Sequence, residues 1–117
     1  RWAAHAVRRT LTSGAEKLVL QPDGLPGVSK AESGAHAALG ARLAAYRFDS
    51  YRTKLKPDQT PSLSAVEVMT DGTAAARARA EKDGAIVDGV FFARDLVSEP
   101  PNVLYPDSFA RRVKAEL

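Results

Sequence analysis

The sequence predicts an α/β, helix-rich chain with element order α-β-α-β-α-loop-α and an incomplete sheet. Three observations lead there. Of 117 residues, 21 are alanine and one is isoleucine, a composition that favours helix over strand. Ser29-Lys30-Ala31-Glu32 has the spacing of a capping box, the opening of a well-defined helix. Only two short runs, Lys17–Gln21 and Ala65–Met69, read as strands, too few for an independent sheet.

Arg1–Leu11 sets Ala3, Val7 and Leu11 beside Trp2, Ala6 and Arg9 in a short helical stripe, and Ser13-Gly14 stops it. Lys17–Gln21 follows as a brief β-run, ended by the turn cluster Pro22-Asp23-Gly24 with Pro26-Gly27 behind it. The capped helix then carries Ala35, Leu39, Leu43 and Tyr46 on one stripe. Gly34 and Gly40 lie inside it, each costing about 1 kcal/mol relative to Ala, which points to close packing against another backbone.

Lys54–Ser62 holds two prolines and reads as an exposed loop, and Asp71-Gly72 ends the second strand. Thr73–Ser98 is a long helical stretch with a break expected at Asp83-Gly84. Its second half is apolar at Ile86, Val90, Ala93 and Val97, widened by Phe91, Phe92 and Leu96, with Asp88, Asp95 and Glu99 marking a polar face. Pro100 and Pro101 stop that helix, and Pro106-Asp107 opens the last one, whose stripe is Phe109, Val113 and Leu117. Pro100, Pro101 and Pro106 make a rigid joint, with Asn102 placed to bond the backbone groups around it.

The charge is nearly balanced: 17 basic and 14 acidic residues give +3 and a pI of about 9.5, which demands no polyanionic partner. Absence of cysteine excludes disulfides, thiolate metal sites and a cysteine nucleophile. No apolar stretch approaches the ~20 residues needed to cross a bilayer. Beyond alanine there are 31 larger apolar side chains, a thin stock for a core. Both ends fall within helical patterns, so the chain is expected to be a piece of something longer.

Few residues offer chemistry. His5 and His36 lie far apart with no carboxylate at ligand spacing and read as ordinary helix residues. Asp88 and Asp95 share a helical face that reads as solvated. No Gly-x-Ser-x-Gly elbow, phosphate loop or dinucleotide fingerprint occurs. Tyr46–Lys56 interleaves Tyr46, Phe48 and Tyr51 with Arg47, Arg52, Lys54 and Lys56, so one reading is a small basic binding module contacting nucleic acid or a protein partner. The other is that these aromatics anchor a helix end in the core.

Two longer stretches carry a resemblance. Gly40–Lys54 places Gly40, Leu43, Tyr46, Phe48, Tyr51, Arg52 and Thr53 in a Gly-x-x-Leu-x-x-Tyr-x-Phe-x-x-Tyr-Arg-Thr pattern. Ala93–Pro106 runs Ala-Arg-Asp-Leu-Val-Ser-Glu-Pro-Pro-Asn-Val-Leu-Tyr-Pro. In this order, with a polar loop, a strand and an Ala-rich helix between, they resemble the leucyl aminopeptidase family of cytosolic metallo-exopeptidases. The departures are Arg52 for Lys, Ser98 for Asn, and Tyr105 for Thr at a helix N-cap.

The resemblance implies a two-domain enzyme, cytoplasmic and hexameric, that releases amino-terminal, leucine-type residues from peptide substrates. Residues 1–72 would be the latter part of its smaller amino-terminal α/β domain, 73–98 a connecting helix and 99–117 the start of its catalytic domain. That domain binds two divalent ions, zinc or manganese, which activate water and polarise the scissile carbonyl. The ligands lie in motifs including Asn-Thr-Asp-Ala-Glu-Gly-Arg, which this chain does not contain. The resemblance therefore assigns no catalytic, cofactor-binding or metal residue here, and implies neither a membrane nor a nucleic-acid partner.

Overall fold

Parallel strands need a crossover between them, and here a helix provides it. The computed structural model describes residues 1–116. Strand β1 (Lys17–Leu20) pairs in parallel with β2 (Ala65–Val68), in the register Lys17↔Ala65 through Leu20↔Val68. Between them runs α2 (Lys30–Ala44), preceded by α1 (Trp2–Thr10); α3 (Thr73–Ser98) and α4 (Pro106–Glu116) come after β2. The predicted element order holds, with each strand one residue shorter than expected at its end. Leu117, assigned to the last stripe, lies outside the described residues.

The capping box forms as expected. The Ser29 hydroxyl accepts from the Glu32 N–H, and the Glu32 carboxylate accepts from the Ser29 N–H at 3.3 Å. Gly24, with φ 93°, turns the chain after β1 in a conformation that L side chains resist. Asp23 then ties the two post-strand loops together, its carboxylate accepting from the Thr70 hydroxyl at 2.7 Å and the Asp71 N–H at 3.0 Å.

The core is built from small residues. Ala3 and Val7 of α1, Leu20 of β1, and Ala37, Ala41 and Ala44 of α2 form the buried cluster, with Leu18, Leu63, Val66 and Val68 packed around it. Alanines allow α2 to approach partners on more than one flank. One flank meets α1, where the Cβ position of Gly40 is 3.8 Å from the Ala4 nitrogen. Another meets α3, where the Cβ position of Gly34 is 2.8 Å from the Thr70 methyl and 3.1 Å from the Ala76 Cβ. The close approach expected against another backbone is made at Gly34 by side chains instead, and at Gly40 a backbone atom lies only at ordinary contact distance.

Three expectations need correction. The spacing predicts an α2 stripe through Ala35, Leu39, Leu43 and Tyr46; Ala35 is buried, but the rest of the buried side is Ser33, Gly34, Ala37, Ala41 and Ala44, and the helix ends before Tyr46. A helix sandwiched between neighbours buries its smallest residues where the backbones come closest. Helix α3 does not break at Asp83-Gly84; it continues through 26 residues, with the Arg42 guanidinium 3.4 Å from the Gly84 Cβ position. Packing along α2 overrides the local propensity. The buried face of α3 is also displaced: Ala76, Asp83 and Val87 face inward, while Ile86 is 56% and Val97 87% exposed.

Asp83 is unusual, since its side chain is 7% exposed, its Oδ1 accepts from Arg79 Nε at 3.2 Å, and its Oδ2 has no hydrogen-bond partner. The fold is elongated, 49 × 36 × 19 Å with a radius of gyration of 16.8 Å. A compact chain of 100 residues has about 13 Å. Helix α4 has no buried residue among those described.

Candidate functional site

The chemistry-bearing residues converge where the loop after α2 meets the C-terminal half of α3. Ala45 closes α2, and Tyr46 turns off its end onto α3. Its ring lies 5.2 Å from that of Phe91, its hydroxyl donates to Asp95 Oδ1 at 2.8 Å, and the Arg94 guanidinium sits over its face at 5.2 Å. Arg94 also donates to the Leu43 carbonyl at 3.1 Å, which fastens the end of α2 to α3. Burial raises the Tyr46 phenol above its ordinary value, as does the bond to Asp95.

One turn further on, Glu99 is shared between two partners. The Tyr51 hydroxyl donates to one carboxylate oxygen, and Arg112 Nη1 of α4 donates to the other at 2.7 Å. The Tyr51 bond, then the Arg112 bond, hold the Glu99 carboxyl below its ordinary value. In return the Glu99 bond raises the Tyr51 phenol. Arg47 donates to Asp49 at 2.5 Å and to the Gln59 carbonyl at 3.0 Å, bracing the intervening loop.

These contacts tie much of Tyr46–Lys56 to the rest of the protein. Tyr46 stacks inside the protein, Phe48 and Tyr51 lie 5.8 Å apart, and Arg47 and Arg52 both engage Asp49. Tyr46 anchors the end of α2 on α3, while Tyr51 remains 53% exposed with its hydroxyl bonded to Glu99. Asp88 and Asp95 do not act together: Asp88 is exposed beside Arg42 at 3.5 Å, while Asp95 is half-buried under Tyr46 rather than solvated.

After Glu99 the chain turns at the prolines, where the Pro100 carbonyl accepts from the Val103 and Leu104 N–H groups at 2.9 Å each. The orienting role expected of Asn102 falls to Ser108. Asn102 is exposed, whereas Ser108 Oγ accepts from the Tyr105 N–H at 2.8 Å and lies 3.0 Å from the Val103 carbonyl oxygen. A serine three residues into the helix thus makes the reciprocal half of a capping box, accepting from the backbone N–H of the N-cap residue Tyr105. Its position at N3 is the sequence signal that could have found it. His5 and His36 are exposed on separate helices, and among the described residues no three His, Asp or Glu side chains gather to hold a metal ion.

The two stretches that carried the family resemblance therefore pack on each other. No protein-family model matches the chain. Aligned with individual proteins, it is 44% identical over 112 residues to one from Caulobacter vibrioides named "Probable cytosol aminopeptidase", covering 96% of the chain. It is 51% identical over 78 residues to a protein of the same name from Gluconobacter oxydans. The chain belongs to the cytosol aminopeptidase family. It spans only 22% of the length of the Caulobacter relative.

Solved structures share the fold. The bottromycin maturation enzyme BotP matches with a TM-score of 0.73 and 34% identity, covering 97% of this chain and 23% of BotP. A structure of BotP in complex with Mn matches with a TM-score of 0.69. A tomato leucine aminopeptidase variant matches with a TM-score of 0.72 at 19% identity, a likeness of fold alone. The chain is thus an α/β unit whose fold is seen within larger chains, and among the described residues no helix is long and apolar enough to cross a membrane.

Proposed function

We propose that the chain is part of a metal-dependent aminopeptidase that removes amino-terminal, leucine-type residues from peptides. Within it, residues 1–72 are the latter part of the amino-terminal domain, 73–98 the connecting helix and 99–117 the start of the catalytic domain. The observation that carries this reading is 44% identity maintained over 96% of the chain with a relative named as a cytosol aminopeptidase. The packing of Tyr46 and Tyr51 on Asp95 and Glu99 supports it, because it joins the two stretches by which the family is recognised.

The family implies two divalent ions, zinc or manganese, and one similar structure holds Mn. The residues of this chain do not fit such a centre. The carboxylates of its densest cluster are taken up by Tyr46, Tyr51, Arg47 and Arg112, and no three metal-ligating side chains converge among the described residues. The segment contributes packing and orients the catalytic domain relative to the amino-terminal one, in a cytoplasmic, hexameric enzyme.

The test uses the full-length protein that carries this chain. With manganese or zinc it should hydrolyse leucine anilide and lose that activity on chelation, while residues 1–117 alone with either metal should leave the substrate intact. Metal-independent turnover by the full-length protein, or turnover by the segment, overturns the proposal.

A further inference from the structure

Helix α4 is attached to the rest of the protein in a way its own packing does not explain. None of its described residues is buried. The prolines before it hold φ but leave ψ free, so they stiffen the joint without choosing its direction. Choice of direction requires a contact between α4 and something behind the joint, and Glu99 makes one. Its side chain is 9% exposed and bridges Arg112 on α4, thirteen residues onward, to Tyr51 in the loop after α2. That loop is itself fixed on α3 through Tyr46, and α2 through Arg94, so the bridge refers α4 back to the α2–α3 frame.

We propose that Glu99 is a positioning residue: its carboxylate, held between the Tyr51 hydroxyl and the Arg112 guanidinium, sets the angle at which α4 and the polypeptide beyond it leave α3. Both carboxylate oxygens are used, one per partner, so loss of either partner leaves the bridge with one arm. The inference rests on the proposed function in one respect, that the polypeptide beyond α4 is the catalytic domain.

Spin labels test it in the full-length protein. Cysteines replacing Gly89, where a side chain meets nothing within 4 Å, and exposed Ala115, in an otherwise cysteine-free background, report the α3–α4 distance. The parent should give one narrow distance distribution. Glu99→Ala should broaden or shift it, Tyr51→Phe and Arg112→Met should each do so less, and Arg112→Met added to Glu99→Ala should change nothing further. Leucine anilide turnover should change in parallel, with kcat/KM reduced tenfold or more in Glu99→Ala and partly restored in Glu99→Gln. Distributions in Glu99→Ala as narrow and centred as in the parent overturn the proposal. If that variant does not fold, Tyr51→Phe, which deletes one hydroxyl, decides by the same distance criterion. A parent without metal-dependent activity would defeat the functional reading while the distances still judge the bridge.

Discussion

Gly72 and Gly89 show how differently one residue type is used within a few turns. At Gly72, where the chain passes from β2 into α3, an added Cβ would lie 2.6 Å from the nitrogen and 2.9 Å from the Cα of Ala31. Those are backbone atoms of the capped first turn of α2 and cannot step aside. Gly72→Ala should therefore destabilise the fold by about 1–3 kcal/mol, the usual range for overpacking. Gly89 lies inside α3 with nothing within 4 Å, so Gly89→Ala should stabilise by roughly 0.5–1 kcal/mol through backbone entropy alone. Urea unfolding of the full-length protein reads both, and a stabilising Gly72→Ala would refute the close approach. Sequence reasoning singles out Gly34 and Gly40 but treats Gly72 only as a stop signal. The difference is tertiary, because what lies opposite a glycine is set by a segment some forty positions away.

At the scale of elements, α3 carries the clearest disagreement between pattern and packing. Its apolar spacing suggests a buried face through Ile86, Val90, Ala93 and Val97, yet the fully buried residue is Val87. Of that pattern Ile86, Ala93 and Val97 are exposed while Val90, Phe91, Phe92 and Leu96 are half-buried, and it borders a trough of about 330 Å³ lined by Tyr46, Val90, Ala93, Arg94, Val97 and Ser98. Hydrophobic periodicity locates an apolar face without saying which neighbour takes it, and α2 offers alanines that accept the slimmer face bearing Ala76 and Val87. Val87→Ala should accordingly cost about 2 kcal/mol, in line with full burial of a valine. Val97→Ala should stay within about 0.5 kcal/mol, as exposed substitutions do. Equal costs in thermal melts of the isolated chain would put the buried face back where the pattern places it.

For the molecule as a whole, acid should act on several fastenings together. Hydrogen bonds from Thr70 to Asp23, from Ser29 to Glu32, from Arg47 to Asp49 and from Tyr51 to Glu99 lower these carboxyls below their ordinary 3.8 and 4.5. A carboxyl whose folded value is depressed stabilises the fold above its unfolded value, and that contribution is lost as pH falls through the folded one. Stability should hold near neutrality and decline below 4.5, as the joints at both ends of α2 and at Glu99 release. The Tyr46 and Tyr51 phenols are raised above 10.0, so their contribution is present below that value and lost as pH rises beyond it. A urea midpoint that stays constant from pH 7 to about 3 would contradict these assignments.

Element order, the Ser29–Glu32 capping box, the proline stop after Glu99 and the family resemblance are all readable from residues alone. Each depends on neighbours within a few positions or on a pattern matched in order along the chain. The convergence of Tyr46 with Asp95, and of Tyr51 with Glu99 and Arg112, is not readable, although every one of these residues is in plain view. Local spacing sets which side chains a helix presents, while partners 48 and 49 positions apart meet only once α2 and α3 have packed. For the same reason Asp95 reads as solvated, whereas Ser108, which takes the role that Asn102 draws, bonds three residues away and is within reach of a local reading. An alanine-lined interface places helices by backbone approach and carries little hydrophobic pattern, so the assembly of this joint belongs to three-dimensional packing.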